Sequence, residues 1–345
     1  MEFACVVLFA GWGNRSCEVR RGEEPGSSSF FIIKIQTSSN GGFGLQEFIV
    51  NSRELELFTC RWLPENREPK ALIFLCHGYG MECSISMRGT GIRLAKAGFA
   101  VYGMDYEGHG KSSGLQGFIR DFEDLEAYHL LICFEERNEN KRKTRFLLGE
   151  SMGGAVALLL HRKKPIFWDG AVLVAPMCKI AEELKPHPLV INILTKMCRV
   201  IPTWKIIPTK DIIDSAIKDP EWREEVRNNP YCYKGRPRLK TGYELLMVSL
   251  DTEKNLNQIS LPFLIVHGGD DTVTDPLISK ALYDTASSED KTFKLYPGMW
   301  HALTSGEPQE NVDLVFSDIV SWLDERANTI DTRLEMGKEA GHKGH

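Results

Sequence analysis

The chain has 345 residues, 42% of them apolar and 26% charged, a composition that suits one large globular domain or two small ones. Its net charge of −5, with both signs interspersed, excludes a broad basic surface for nucleic acid. No apolar run has the length of a membrane-crossing helix, and Glu2 stands where a secretory leader would carry positive charge, so a cytoplasmic protein is expected.

Residues 1–45 hold Ser/Gly-rich patches at Gly26–Ser29 and Ser38–Gly42 and little periodicity, so they read as a disordered leader or an atypical extension. Glu47–Val50 and Glu54–Trp62 then flank the turn signal Asn51-Ser52-Arg53 and predict a hairpin. From there strand and helix patterns alternate. Leu72–Cys76, Phe99–Met104, Phe146–Leu148 and Gly170–Ala175 are apolar strand runs, separated by helical patterns at Gly91–Ala97, Phe122–Glu136 and Ala155–Lys163. The alternation resumes with Phe263–His267 (strand), Leu277–Ala286 (helix), Thr292–Tyr296 (strand) and Val312–Arg326 (helix). Continuous apolar strands between helices predict an α/β fold, a mostly parallel sheet covered on both faces. Residues 46–326 form that domain, and the charged end, 327–345, reads as a flexible tail. The short basic tract Asn140-Lys141-Arg142-Lys143 reads as the solvated end of a helix.

Between about 177 and 257 the alternation stops, and the chain becomes helical, Pro-punctuated and rich in Lys and Arg. An insert at the carboxyl edge of an open parallel sheet sits over the place where such sheets bind ligands, so this stretch is expected to be a cap. Within it, Val190, Ile193, Leu194, Met197 and Ile201 fall on one helical face, opposite Asn192, Thr195, Lys196 and Arg199. That face is expected to pack on the core domain, or in part to touch a membrane surface. The nine cysteines are scattered, without C-x-x-C spacing or zinc-ligand clusters, which fits a reducing compartment without a disulfide framework.

The chemistry concentrates in Arg145-Phe146-Leu147-Leu148-Gly149-Glu150-Ser151-Met152-Gly153-Gly154-Ala155. A strand run, then G-x-S-x-G, then a helix-forming run predicts a sharp turn that holds a serine hydroxyl at the end of a sheet. Gly149 and Gly153 lack a Cβ, so strand and helix can approach closely there. A second match, Gly110-Lys111-Ser112-Ser113-Gly114, has no helical run after it and reads as a loop.

A serine hydroxyl is a weak nucleophile and needs a base, which in turn needs an orienting carboxylate. With the order Ser, acid, His, the strand Phe263–His267 followed by Gly268-Gly269-Asp270-Asp271 supplies the acid. Asp270 and Asp271 compete; Asp271 is preferred because Asp270 adjoins the Gly-Gly turn and can simply cap it. His301, in the loop Pro297-Gly298-Met299-Trp300-His301, is the base candidate, whereas His267 reads as a packed strand-end histidine and His161 and His187 as unrelated to the chemistry. Two backbone N–H groups must meet the oxyanion: Met152, at a helix start, and Tyr79, in Cys76-His77-Gly78-Tyr79-Gly80 after an earlier strand. His77 reads as a structural hydrogen-bonding residue.

Taken together, His77-Gly78-Tyr79-Gly80, Asp105-Tyr106-Glu107-Gly108-His109-Gly110-Lys111-Ser112, Gly149-Glu150-Ser151-Met152-Gly153-Gly154 and Pro297-Gly298-Met299-Trp300-His301 resemble the monoacylglycerol lipase-like α/β-hydrolases, in particular the plant branch that includes caffeoylshikimate esterase. The resemblance covers about residues 46–325. It implies an α/β-hydrolase fold with Ser151, Asp271 and His301 as a triad, Tyr79 and Met152 as the oxyanion hole and a mobile lid at 177–257. It further implies no cofactor, a small ester or lipid as substrate, and an acylglycerol lipase or phenolic esterase. Animal members have a glutamate directly after the HGxG run; here that position is Met81, with Glu82 next. A phenolic ester or a lysophospholipid therefore stays open beside a glycerol ester, as do acyl transfer to another alcohol and a ligand-receptor role. A serine at the turn disfavours the dehalogenases and epoxide hydrolases, which use aspartate there.

Overall fold

The computed structural model describes the backbone of residues 16–22, 30–37, 44–51, 53–125, 143–179, 185–207 and 211–342, with side chains from 46 to 327 within those ranges. Its strands form one sheet in the order β1 (Ser16–Gly22), β2 (Phe30–Thr37), β3 (Gly44–Val50), β4 (Glu56–Trp62), β6 (Ala100–Met104), β5 (Leu72–Cys76), β7 (Arg145–Glu150), β8 (Gly170–Val174), β9 (Phe263–Gly268) and β10 (Lys291–Tyr296). From β6 to β10 all neighbours are parallel; β1 to β4 add an antiparallel edge. The β3–β4 hairpin forms where expected. The Asn51 side chain accepts the Arg53 and Leu55 N–H groups at 2.9 and 3.1 Å, which closes the turn. β1 and β2 lie within the N-terminal stretch of little periodicity, and pair antiparallel from Ser16↔Gln36 to Gly22↔Phe30.

Every residue of β5, β6, β8 and β9 is buried, which is why these strands read as continuous apolar runs. Alternate side chains still serve different layers. Leu72, Phe74 and Cys76 of β5 join a core shared with α2 (Met152–Lys163), while Ile73 and Leu75 join one shared with α1 (Arg88–Ala97). That second core also takes Val312, Val315, Phe316, Ile319, Trp322 and Leu323, the apolar stripe of α8 (Gln309–His342). α8 continues past Ala327 to His342. The first core is closed by α7 (Pro276–Thr285) through Ile278 and Leu282. Of the helix expected at Phe122–Glu136, residues 122–125 are helical; the remainder, and the basic tract at 140–142, lie outside the described residues.

Between β8 and β9 the chain forms α3 (Pro188–Val200), α4 (Ile213–Ala216), α5 (Pro220–Asn228) and α6 (Leu239–Lys254). These helices fall within residues 177–257. α3 begins with Pro188 at a position that needs no N–H donor, after His187, whose ring accepts the Leu189 N–H at 3.3 Å. The expected apolar face of α3 divides. Cys198 is buried, Leu194 and Met197 are half-buried, and Thr195, from the polar side, bonds the Tyr243 hydroxyl on α6 at 3.2 Å. Leu189, Val190 and Ile193 are exposed, as are Val200, Trp204 and Ile206. Among the described residues no helix is long and apolar enough to cross a membrane. The described cysteines, Cys60, Cys76, Cys83, Cys178, Cys198 and Cys232, are buried free thiols.

Candidate active site

The register of the parallel strands decides which loops meet. Cys76 lies opposite Gly149, and Glu150 opposite Val174, so the loop after β5 and the turn after β7 leave from neighbouring strand ends. Ser151 occupies that turn with φ 54° and ψ −117°, a conformation strained for any residue with a Cβ. It is held by its backbone: its N–H donates to the Val174 carbonyl at 3.0 Å, and its carbonyl accepts from Gly154 and Met177 N–H at 2.9 Å each. The turn closes only because its glycines are bare. A Cβ on Gly153 would lie 1.8 Å from the Cys76 carbonyl oxygen, and one on Gly149 2.3 Å from the Gly153 oxygen. The Ser151 hydroxyl makes no capping bond to α2, and the residue is half-buried. The Met152 N–H opens α2, where amides lack intrahelical acceptors.

β9 and β10 run parallel, and their carboxyl ends bring Asp271 and His301 together. His301 Nδ1 donates to Asp271 Oδ2 at 2.7 Å. Asp271 is buried whereas Asp270 is exposed, which decides between the two aspartates as partner of His301. Asp271 Oδ1 accepts the Val273 and Thr274 N–H groups at 2.7 and 3.0 Å, and Oδ2 accepts the Thr274 hydroxyl at 2.9 Å. Burial would raise this carboxyl, but hydrogen bonds from His267 and His301, the charge of His301 and the Val273 amide hold it well below the usual carboxylate range. It is therefore an anion at neutral pH.

His267 is more than a packed histidine. Its Nε2 lies 3.1 Å from Asp271 Oδ2 and 3.0 Å from the Thr274 carbonyl, and its Nδ1 is 2.7 Å from the Ser279 hydroxyl. A proton on Nε2 serves both oxygens and leaves Nδ1 to accept from Ser279. His267 and Thr274 thus complete the carboxylate's shell, roles invisible in sequence because one residue ends a strand and the other sits in an unpatterned loop.

The loop after β5 is fixed from beneath by His77, whose Nε2 accepts the Tyr106 N–H at 3.1 Å and whose Nδ1 donates to the Gly78 carbonyl at 2.8 Å. That is the structural role expected of it. Tyr79 follows, its hydroxyl donating to the Gly117 carbonyl at 2.9 Å. Glu82 is turned into the protein. Its carboxylate is fully buried and accepts the hydroxyls of Ser84 and Ser86, the N–H groups of Ile85 and Ser86, and the Asn229 side-chain amide, from the segment after α5, at 3.0 Å. Met81 instead packs beside Cys232, Ile217 and Val226, from the segment between β8 and β9.

The segment between β8 and β9 is bonded to both loops. The Tyr233 N–H donates to the Gly80 carbonyl at 2.7 Å, and Lys218 Nζ to the Gly298 carbonyl at 2.7 Å. The Ala302 N–H, one residue past His301, donates to the Ala216 carbonyl at 3.0 Å.

The competing candidates lie elsewhere. Ser112 donates its hydroxyl to the Asp105 carbonyl and accepts the Phe58 N–H at 2.9 Å, so it is a loop pin. His161 accepts the Ser260 N–H at 3.1 Å, and His187 caps α3. Among the described residues no group of three or more His, Cys, Asp or Glu is placed to hold a metal ion.

The family described as Serine aminopeptidase, S33 (Hydrolase_4) matches residues 67–309, and the chain belongs to it. It is 36% identical over 274 residues to a caffeoylshikimate esterase of Arabidopsis thaliana, covering 79% of this chain and 82% of that one. It is 30% identical over 286 residues to a monoglyceride lipase of Homo sapiens, covering 82% and 92%. A soluble variant of the monoglyceride lipase of Saccharomyces cerevisiae, solved with a substrate analog, superposes with a TM-score of 0.68 at 22% identity over 84% of this chain and 94% of that one, a likeness of fold. The protein is an α/β-hydrolase and a carboxylester hydrolase of the lipase and esterase type.

Proposed function

We propose that the protein cleaves its ester through an acyl-Ser151 intermediate, with an acylglycerol of the monoacylglycerol type as substrate. The observation that carries this reading is the buried, ionised Asp271 bonded to His301 Nδ1, which leaves Nε2 as the free basic nitrogen. Ser151 attacks the ester carbonyl while His301 Nε2 takes its proton. The oxyanion is met by the N–H groups of Tyr79 and Met152, which issue from neighbouring strand ends. Collapse expels the alcohol, to which His301 returns the proton. A water, deprotonated by His301, then attacks the acyl-enzyme and releases the acid. Asp271 holds the imidazole in the required tautomer and balances its charge. Tyr79, Met152, Ser151, Asp271 and His301 need no cofactor for this sequence.

In the same reading, Leu189, Val190 and Ile193 of α3 rest on a lipid surface and bring the substrate's source to the cap, residues 177–257. Their exposure on one stretch of the cap supports this. A second reading, a phenolic ester of the caffeoylshikimate kind, is favoured by Met81 and Glu82. The position after the HGxG run carries no carboxylate for a glycerol hydroxyl, and the next carboxylate is consumed inside the protein. Parallel turnover of monoacylglycerol, lysophosphatidylcholine and caffeoylshikimate by purified protein tests the substrate. Preferred monoacylglycerol hydrolysis is expected; turnover of the phenolic ester alone overturns the first reading. Labelling by a fluorophosphonate at Ser151, abolished in Ser151→Ala, tests the nucleophile.

A further inference from the structure

Glu150 directly precedes the nucleophile, at the carboxyl end of β7, and is largely withdrawn from solvent. Its Oε1 accepts the Thr304 hydroxyl at 2.6 Å. Thr304 is buried and stands three residues after His301, in the loop that presents the imidazole. Among the described residues no lysine, arginine or histidine forms an ion pair with Glu150, so a costly half-buried carboxylate is held by a single hydroxyl. Its two neighbours in chain and space, Ser151 and the His301 loop, are the groups whose charges change during ester cleavage.

We propose that Glu150 is a positioning residue, one that tethers the His301 loop to the Ser151 turn through Thr304 and supports the imidazolium with its negative charge. The inference rests on the acyl-Ser151 reading. The hydrogen bond spans the two segments whose separation sets whether His301 can reach the serine, so losing it misplaces the base. The charge acts separately. Burial pushes the Glu150 carboxyl above its usual range, while the Thr304 hydroxyl and the attraction of His301 work against that rise. By reciprocity, the same attraction favours the protonated imidazole that exists in the transition state. The other charged and titratable groups around this loop are Asp271 on Nδ1, with His267 behind it, Glu307 accepting the Trp300 N–H at 2.6 Å, and Lys218 on the Gly298 carbonyl. Glu307 is spent on the Trp300 amide and the Asn311 side chain. Glu150 is the carboxylate that reaches this loop from the Ser151 turn, through Thr304.

The test is the pH profile of kcat/KM on a soluble short-chain ester. Glu150→Gln keeps the shape and an acceptor for Thr304 but removes the charge. Its plateau kcat should fall about ten-fold with KM nearly unchanged, and its acid limb should move to lower pH by about half a unit to one unit. Glu150→Asp, which keeps the charge, should hold the limb near its wild-type position. Thr304→Val cuts the tether: kcat should fall at constant KM, and Thr304→Ser should restore it. The valine variant carries the test where the glutamine variant does not fold. An acid limb in Glu150→Gln that coincides with wild type overturns the electrostatic role, and an unchanged kcat in Thr304→Val overturns the tether. Fluorophosphonate labelling of the wild type separates these failures from the larger one. Labelling that survives Ser151→Ala overturns the acyl-Ser151 reading itself.

Discussion

Replacing Asp271 by Asn removes one charge from the centre of the site while leaving its shape. The structure says which bonds survive. The Asn oxygen can keep the place of Oδ1 and go on accepting the Val273 and Thr274 N–H groups, at 2.7 and 3.0 Å in the native protein. The amide nitrogen then takes the place of Oδ2, which now accepts from His301 Nδ1 at 2.7 Å, from the Thr274 hydroxyl at 2.9 Å and faces His267 Nε2 at 3.1 Å. An N–H donor there forces His301 to offer a lone pair at Nδ1 and to carry its proton on Nε2, the tautomer that cannot deprotonate Ser151. Both the tautomer and the compensating charge are lost, so kcat should drop by about 10³–10⁴, or about 4–5.5 kcal/mol of barrier. Asp270→Asn, at an exposed position that contacts none of these groups, should stay within about two-fold of wild type, because surface changes of this kind are worth under ~0.5 kcal/mol. Steady-state kinetics on a soluble ester, with thermal unfolding to show both variants folded, decides the matter. The reasoning is refuted if the Asp270 variant is the crippled one, or if Asp271→Asn retains more than a tenth of the native kcat.

Three further outcomes are expected. Ile193 is 57% exposed on α3, and each large apolar side chain that enters lipid contributes about 1.5–3 kcal/mol; Ile193→Glu should lower activity on micellar monoacylglycerol and liposome co-sedimentation while sparing a soluble ester, and equal loss on both substrates with a lower Tm would falsify the lipid contact. Gly153→Ala places a methyl where the Cys76 oxygen stands, and relief by separating strand and helix should cost about 3 kcal/mol, read as a lower Tm; an unchanged Tm refutes the close approach. The buried Asp105 carboxyl is pushed up to about 7, first by burial and then by Glu82, against the backbone bonds from Lys111 and Cys83. It ionises near pH 4 in the unfolded chain, so its stabilising contribution is full below about pH 4 and is lost as pH rises through about 7. Asp105→Asn should flatten that slope in urea unfolding between pH 4 and 7; a slope as steep as wild type counts against it.

Features that depend on neighbours in the chain are legible from residue order alone. Five or six apolar residues in a row mark a strand buried on both faces, and β5, β8 and β9 were plain for that reason. The turn at Gly149–Gly153 was equally plain, since a strand run, two bare positions and a helix run are all local. Tertiary structure decided whatever depends on packing across the sheet. Asp270 and Asp271 differ little as neighbours in a loop, and only the fold buries one and exposes the other. His267, thirty-four residues before His301, comes against the same carboxylate because β9 and β10 are parallel and in register. Glu82 turns inward because Asn229 arrives to meet it, 147 residues later in the chain. The face of α3 divides because α6 covers one side of it and leaves the other to solvent. The aromatic and β-branched run of β2, Phe30–Thr37, favours a strand, but its pairing with β1, Ser16–Gly22, depends on the backbone register between the two and is set in the fold. Thr304 and Glu150 meet for the same reason as Asp271 and His301: strand ends far apart in sequence finish on one edge of a parallel sheet.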